Sequence, residues 1–287
     1  MERKKIKNSL KWFVKLALSG LALYIVFGKI DRVEAISIFS KIQFPYLILA
    51  IAFFNLSQII SAFRYRKFLG IAGIPISQSE NIKLYYLGMF YNLFLPGGIG
   101  GDGYKIMALK KRFHKSWKPI FKATVIDRIS GAVALCFLTL SMVYLNAILL
   151  NQSFKYPFLL PIVAIGLFPS FLLFLKYLFK DFTKVFLTTS SQSLTVQLAQ
   201  VGCAYFILEA MQVQDSVMVG YLTLFLVSGI VAIIPFTIGG LGARELVFVY
   251  GGQFFLMVDI NIAVNFGLLF FVITALSSLP GSLFEFK

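Results

Sequence analysis

Acidic residues are scarce in this chain, with 12 Asp and Glu against 27 Lys and Arg, and charged residues of both signs make up only 14% of 287. There is one histidine, His114, and there are two cysteines, Cys136 and Cys203. Imidazoles, thiolates and carboxylates are the common ligands of transition metals and the common proton carriers. A chain this poor in them has little raw material for a metal centre or a Ser-His-Asp site. Both cysteines lie in apolar runs without metal-ligand spacing and read as core residues rather than a disulfide. His114 sits in a basic stretch and reads as solvated. No cofactor and no metal are expected, and the chain is not expected to be an enzyme.

Apolar surface is what the chain has instead. Hydrophobic residues make up 59%, with 32 Phe and a mean hydropathy of +0.84. A soluble fold would have to expose much of this as one contiguous apolar patch. The composition therefore predicts an all-α polytopic membrane protein, forming one domain over 1–287 with halves of approximately 1–150 and 151–287.

The net charge of +15 is clustered rather than spread. Six cations fall within residues 1–15, and Arg64, Arg66 and Lys67 form a second group. Lys105, Lys110, Lys111, Arg112, Lys115, Lys118 and Lys122 form a third group, and Lys176, Lys180 and Lys184 a fourth. Such alternation along the chain is what the positive-inside rule produces. Short basic clusters separated by apolar spans do not suggest nucleic acid; they suit anionic lipid headgroups. The basic-then-apolar N-terminus lacks a small-residue cleavage site before Gly28-Lys29 and reads as a first anchor.

A span needs about 20 mainly apolar residues. Candidates are 10–28, 42–63, 119–149, 157–179, 194–212 and 259–283, while 81–112 and 216–257 are apolar but broken by glycine. The expectation is about six full spans plus two re-entrant segments. With a cytoplasmic N-terminus every dense basic cluster falls in the cytoplasm, as does the C-terminus, and a plasma membrane suits the bias.

The two broken stretches carry related sequence. Leu95-Pro96-Gly97-Gly98-Ile99-Gly100-Gly101-Asp102 aligns with Phe236-Thr237-Ile238-Gly239-Gly240-Leu241-Gly242-Ala243-Arg244-Glu245 when Gly97 is placed on Gly239, an offset of 239 − 97 = 142. Proline removes a backbone donor and glycine permits chain reversal, so neither stretch makes a plain helix across a bilayer. Irregular backbone at membrane depth is tolerated only inside protein or against a wet cavity. Paired broken helices in corresponding halves point to a transporter with inverted repeats. A hairpin tip with glycine amides and a helix N-terminus suits an anion such as a headgroup phosphate. The plainer reading of the glycines is tight helix packing.

Ionisable residues in apolar context are Asp127-Arg128, Arg244-Glu245 and Glu209. Charges at such depth are costly and are usually paired or functional. Adjacent residues on a helix point about 100° apart, so Asp127 and Arg128 should meet different partners. Asp127-Arg128 could equally be a structural ion pair or an interfacial anchor, and Glu209 reads as a near-interface residue.

The run Leu95–Lys105, then Asp127-Arg128 at a helix start, then Pro235–Glu245, resembles the lysylphosphatidylglycerol synthase transmembrane region, a flippase-like membrane family. Arg64-Tyr65-Arg66 fits its Arg-aromatic-Arg pattern. The resemblance implies a lipid flippase moving a phospholipid or polyprenyl-phosphate-linked headgroup, built from two inverted halves with re-entrant hairpins. The substrate-contact positions it and the residue reading nominate are Gly97, Gly98, Gly100, Gly101, Asp102, Asp127, Arg128, Gly239, Gly240, Gly242, Arg244 and Glu245. Bifunctional members carry a soluble aminoacyl-transferase domain after the membrane region, so a chain ending at Lys287 is expected to stand alone. The alternatives are an integral-membrane glycosyl or lipid transferase, for which Asp102 with Asp127 is the plausible acidic pair, and a membrane partner of a separately encoded lipid-modifying enzyme. Membrane lipids with anionic headgroups are the expected partners, with a homo-oligomer as a further expectation.

Overall fold

The computed structural model describes residues 42–94, 100–149, 158–233, 243–252 and 258–286. Among these, short turns join helices in the order α1 Phe44–Ile71, α2 Gln78–Phe94, α3 Gly100–Phe113, α4 Trp117–Leu149, α5 Leu159–Leu178, a short 3-10 helix Lys180–Val185, α6 Phe186–Ala210, α7 Asp215–Ile233, α8 Ala243–Gly251, α9 Ile260–Ser278 and a second 3-10 turn Leu279–Leu283. Five segments are long and apolar enough to cross a membrane: α1, α4, α5, α7 and α9 with its 3-10 extension. Two differences from the sequence expectation follow. The α7 segment, read as half of a broken stretch, has by itself the length and composition of a span. The expected span 194–212 lies in α6, which starts at Phe186 and is not among the five; its row of Thr189, Ser190, Ser193 and Gln197 is buried inside the protein. The expected span 10–28 lies outside the described residues.

Contacts between helix ends fix the directions. The Gln43 amide donates to the Ala210 carbonyl (2.9 Å), so α1 begins where α6 ends. Arg112 at the end of α3 ion-pairs with Glu80 at the start of α2, and the Gly101 amide donates to Asn92 Oδ1 (2.8 Å) at their other ends. Helices α2 and α3 are therefore an antiparallel hairpin. A Cβ at Gly101 would stand 1.9 Å from the Gly88 carbonyl oxygen, so this close approach requires glycine. At the opposite end of the protein, the Tyr221 hydroxyl accepts from the Asp259 amide (3.1 Å), which puts the start of α9 beside the first turns of α7. The end of α8 returns there too, Gly251 lying against Leu224. The α2–α3 pair thus has its free ends at one end of the molecule, and the α7–α8 pair at the other.

The offset of 142 residues between the glycine clusters extends to the helices. Phe44, Gly100 and Trp117 at the starts of α1, α3 and α4 map to 186, 242 and 259, where α6, α8 and α9 begin at Phe186, Ala243 and Ile260. Helix α2 falls likewise on α7. Helix α5 links the two sets, and Pro169 lies within it. Only 17% of its most apolar window is buried, leaving Ile162, Val163, Ile165 and Leu173 exposed as an apolar surface.

Among the described residues two large apolar clusters fill the interior, beside a small one around Val249 and Val264. One, at the end where α1 begins, joins Phe54, Leu135, Cys203, Phe225, Phe266 and Phe270. The other, at the basic end, joins Tyr65, Phe68, Leu109, Ile126, Leu175 and Phe182. Between them each central helix carries a polar segment: Ser57, Gln58, Ser61 and Arg64 on α1, Asp127 and Ser130 on α4, Ser190, Ser193 and Gln197 on α6.

Candidate functional site: a buried charge cluster between the apolar layers

Asp127 stands ten residues into α4, about 15 Å from its basic end at 1.5 Å per residue. A charge at that depth needs partners. Arg64 Nε donates to Asp127 Oδ1 (2.7 Å), and Arg64 Nη1 donates to Ser193 Oγ (3.0 Å) on α6. Ser193 in turn shares a hydrogen bond with Ser130 (2.7 Å) and donates to the Thr189 carbonyl (2.8 Å). One guanidinium thereby ties α1, α4 and α6 together.

A second group adjoins the first. Lys105 Nζ meets Asp102 Oδ1 (2.7 Å) one turn along α3, and Arg128 Nε donates to Asp102 Oδ2. The Lys105 ammonium also lies over the Tyr65 and Tyr85 rings, 4.7 and 4.8 Å from their centroids, a cation–π contact with each. Tyr65 is held by a hydrogen bond with Thr124 (3.0 Å). Asp127 and Arg128 thus turn to different partners, as their angular separation requires.

Arg64, Asp102, Lys105 and Asp127 are each about 5–6% exposed, whereas the Arg128 side chain is 43% exposed. All five line a cavity of about 260 Å³, closed by Gln58, Gly131 and Gln197 among others. Asn92, at the end of α2, and Ile233, at the end of α7, line it as well, so both helical pairs reach this space from opposite ends. Three cations face two carboxylates, leaving one net positive charge, and Arg128 is the member with access.

Of the positions nominated from sequence, Asp102, Asp127 and Arg128 come together here. Gly100 and Gly101 open α3 beside them, but the Gly101 amide is taken by Asn92 and Asp102 occupies the first turn, so anion attraction at this helix end rests on side-chain cations rather than on that amide. Arg244 is elsewhere: its guanidinium lies 4.8 Å from the Phe270 centroid and 5.8 Å from that of Phe225. Glu245 is the next residue of α8, its side chain outside the described set. Gly97, Gly98, Gly239, Gly240 and Gly242 also lie outside the described residues. Arg64 and Lys105 are the cluster members that sequence reading placed in the basic groups at the cytoplasmic side rather than among the site residues. Helix α1 continues to Ile71, which draws Arg64 inside, and the i,i+3 spacing of Asp102 and Lys105 was the available sign for the latter.

The offset of 142 relates the two halves here as well. Asp102 and Arg128 map to Arg244 and Phe270 (102 + 142 and 128 + 142). Both pairs are in contact: an ion pair in the first half, a cation–π stack in the second.

Helical spans around a buried charged cavity, with lipid-facing apolar surfaces, define a multi-pass α-helical membrane protein. The chain belongs to the family described as the lysylphosphatidylglycerol synthase transmembrane region, which residues 12–187 match. It is also similar to the UPF0104 membrane protein PH1989 of Pyrococcus horikoshii, 27% identical over 135 residues. That match covers 45% of this chain and 40% of the relative, so it spans less than half the length of either.

Proposed function

We propose that this protein is a lipid transporter that takes the phosphate of an anionic lipid headgroup into the charged cavity and passes it across the plasma membrane. The observation that carries the reading is the cluster of Arg64, Lys105 and Arg128 around Asp102 and Asp127, whose one unit of excess positive charge matches a phosphodiester. Arg64–Asp127 is the fixed scaffold. Lys105, held against two tyrosine rings, keeps Asp102 neutralised when Arg128 leaves it for the phosphate. Arg128 is therefore the exchangeable ligand, and the acyl chains stay in lipid beside the exposed apolar faces.

The matching helix offsets and opposed directions support two inverted halves, with α2–α3 and α7–α8 as re-entrant hairpins that enter from the cytoplasmic and outer sides. Arg244, the counterpart of Asp102 in the second half, supplies a cation for the outer side of the path. The N- and C-termini lie in the cytoplasm in this reading.

The test is headgroup translocation in proteoliposomes with fluorescent phosphatidylglycerol, and phosphatidylcholine as the zwitterionic control. Wild-type protein should move phosphatidylglycerol, and Arg128→Ala should slow it at least about tenfold, the worth of one charge-assisted hydrogen bond. Its unfolding temperature should stay near that of wild type, because the Arg128 side chain is 43% exposed. Equal rates in the two proteins would remove the cavity from the transport path.

A further inference from the structure

A second cavity, of about 400 Å³, opens at the basic end of the molecule and shares no lining residue with the first. It lies among the end of α1 (Ile71), the start of α4 (Lys118, Lys122), the end of α5 (Leu178) and the first 3-10 helix (Lys180, Asp181). Its size falls in the range of small-molecule sites, about 300–1,000 Å³.

Three lysines and one aspartate line it, an excess of two positive charges. Lys118 and Lys122 are an i,i+4 pair of like charge, which destabilises a helix unless something offsets it. None of Lys118, Lys122 and Lys180 forms an ion pair among the described residues, and Asp181 instead approaches Lys184 (3.8 Å). The rest of the wall is apolar: Ile71, Ala72, Pro119, Leu178, Phe179 and Phe182. Neighbouring Trp117, Phe121, Tyr177 and Leu178 are 48%, 47%, 80% and 65% exposed. Trp and Tyr with exposed apolar neighbours at span ends mark the level of the headgroups. Basic pockets between helices at the cytoplasmic surface hold anionic headgroups.

We infer that this cavity is a separate binding site for the headgroup of an anionic phospholipid, which joins the start of α4 to the end of α5. The charge complementarity selects the phosphate, and the apolar wall and rim select a lipid over a free anion. Lys122 is turned away from Arg128, which lies six residues further along α4 and projects about 120° around the helix. Occupancy of this site is therefore independent of the transport cavity and of its function.

The experiment uses the full chain in phosphatidylcholine nanodiscs with increasing phosphatidylglycerol, read as the rise in unfolding temperature. Lys118→Gln/Lys122→Gln/Lys180→Gln is compared with Lys110→Gln/Lys111→Gln/Lys115→Gln, which removes equal charge from the same end outside the cavity. Wild type and the control triple should be stabilised by phosphatidylglycerol. The cavity triple should lose most of that rise, with affinity falling about fivefold per lysine removed. Equal loss in both triples would reduce the effect to general surface charge and overturn the site. Equal stabilisation of wild type by glycerol 3-phosphate alone would overturn the lipid as its ligand. Because the readout needs no transport, a failure here is distinct from a failure of the transport assay.

Discussion

Arg64 and Arg128 carry the same charge into the same cavity but are held differently, and that difference sorts their roles. Arg64 bridges Asp127 and Ser193 with its side chain 6% exposed. Removing one partner of such a buried pair strands the other charge and costs about 3–5 kcal/mol, whereas replacing both with apolar residues is often neutral or better. Arg64→Met and Asp127→Leu should thus each lower the unfolding temperature sharply. The double variant should recover much of that loss in stability, measured by thermal unfolding in detergent. Recovery absent from the double variant would mean that Arg64 acts through Ser193 alone. Arg128 is expected to show the reverse pattern, with transport lost and folding kept.

At the scale of elements, the α2–α3 hairpin is pinned at both ends. Its inner end depends on Gly101, where a Cβ would meet the Gly88 carbonyl at 1.9 Å. Gly101→Ala should force the helices apart at a cost of about 1–3 kcal/mol, read as a lower unfolding temperature and greater protease sensitivity between α2 and α3. The outer end begins with a reciprocal cap. Ser77 Oγ accepts from the Glu80 amide (3.3 Å), and Glu80 Oε2 accepts from the Ser77 amide (3.2 Å). The Ser77 hydroxyl also donates to Glu80 (2.8 Å), and Arg112 adds its charge. These hydrogen bonds, that from the Ser77 hydroxyl foremost, lower the Glu80 carboxyl below its ordinary value of 4.5. A depressed carboxyl stabilises the fold in full above about 4.5 and loses that contribution as pH falls through its lower folded value. The unfolding temperature should therefore decline on acidification below that point, and Glu80→Gln should flatten the decline. The effect is small because the pair is exposed to solvent. Wild type and variant declining in parallel would assign the acid sensitivity to other carboxylates.

For the whole molecule, the directions of the helices make a topological statement. The ends of α3 and α5 share the basic end, and the turn before α7 lies at the other. Single cysteines at Lys110, Lys184 and Gln214, placed in a Cys136→Ser/Cys203→Ser background, should label asymmetrically in right-side-out vesicles with an impermeant maleimide. Gln214→Cys should react, while Lys110→Cys and Lys184→Cys should react only after the membrane is permeabilised. Labelling of all three from one side would contradict the opposed arrangement. The same arrangement bears on the two halves: one pair of corresponding positions became Asp102–Arg128 and the other Arg244–Phe270. An ion pair exchanges readily with other anions, whereas a guanidinium stacked on phenyl rings interacts with their faces. The two halves are chemically unlike at these positions although their helix bounds correspond.

Composition and hydropathy were sufficient for the all-helical membrane class, because lipid demands internally hydrogen-bonded backbone and about 20 apolar residues per crossing. Helices α2 and α7 end at Phe94 and Ile233, two residues before Pro96 and Pro235, and proline is a residue that acts locally on the backbone. The 142-residue offset was legible in the glycine clusters, and the helix bounds extend it. Which cations are buried was not legible. Arg64 stands two residues from Arg66 in a basic run, and Lys105 heads another, so both look solvated along the chain. Their burial depends on Asp127, 63 residues from Arg64, and on Tyr65 and Tyr85, which reach Lys105 from two other helices. Pairing of charges across helices is a property of which faces meet. Only the packing of α1, α3, α4 and α6 decided that three cations and two carboxylates share one cavity, while Arg244 stands against phenylalanines.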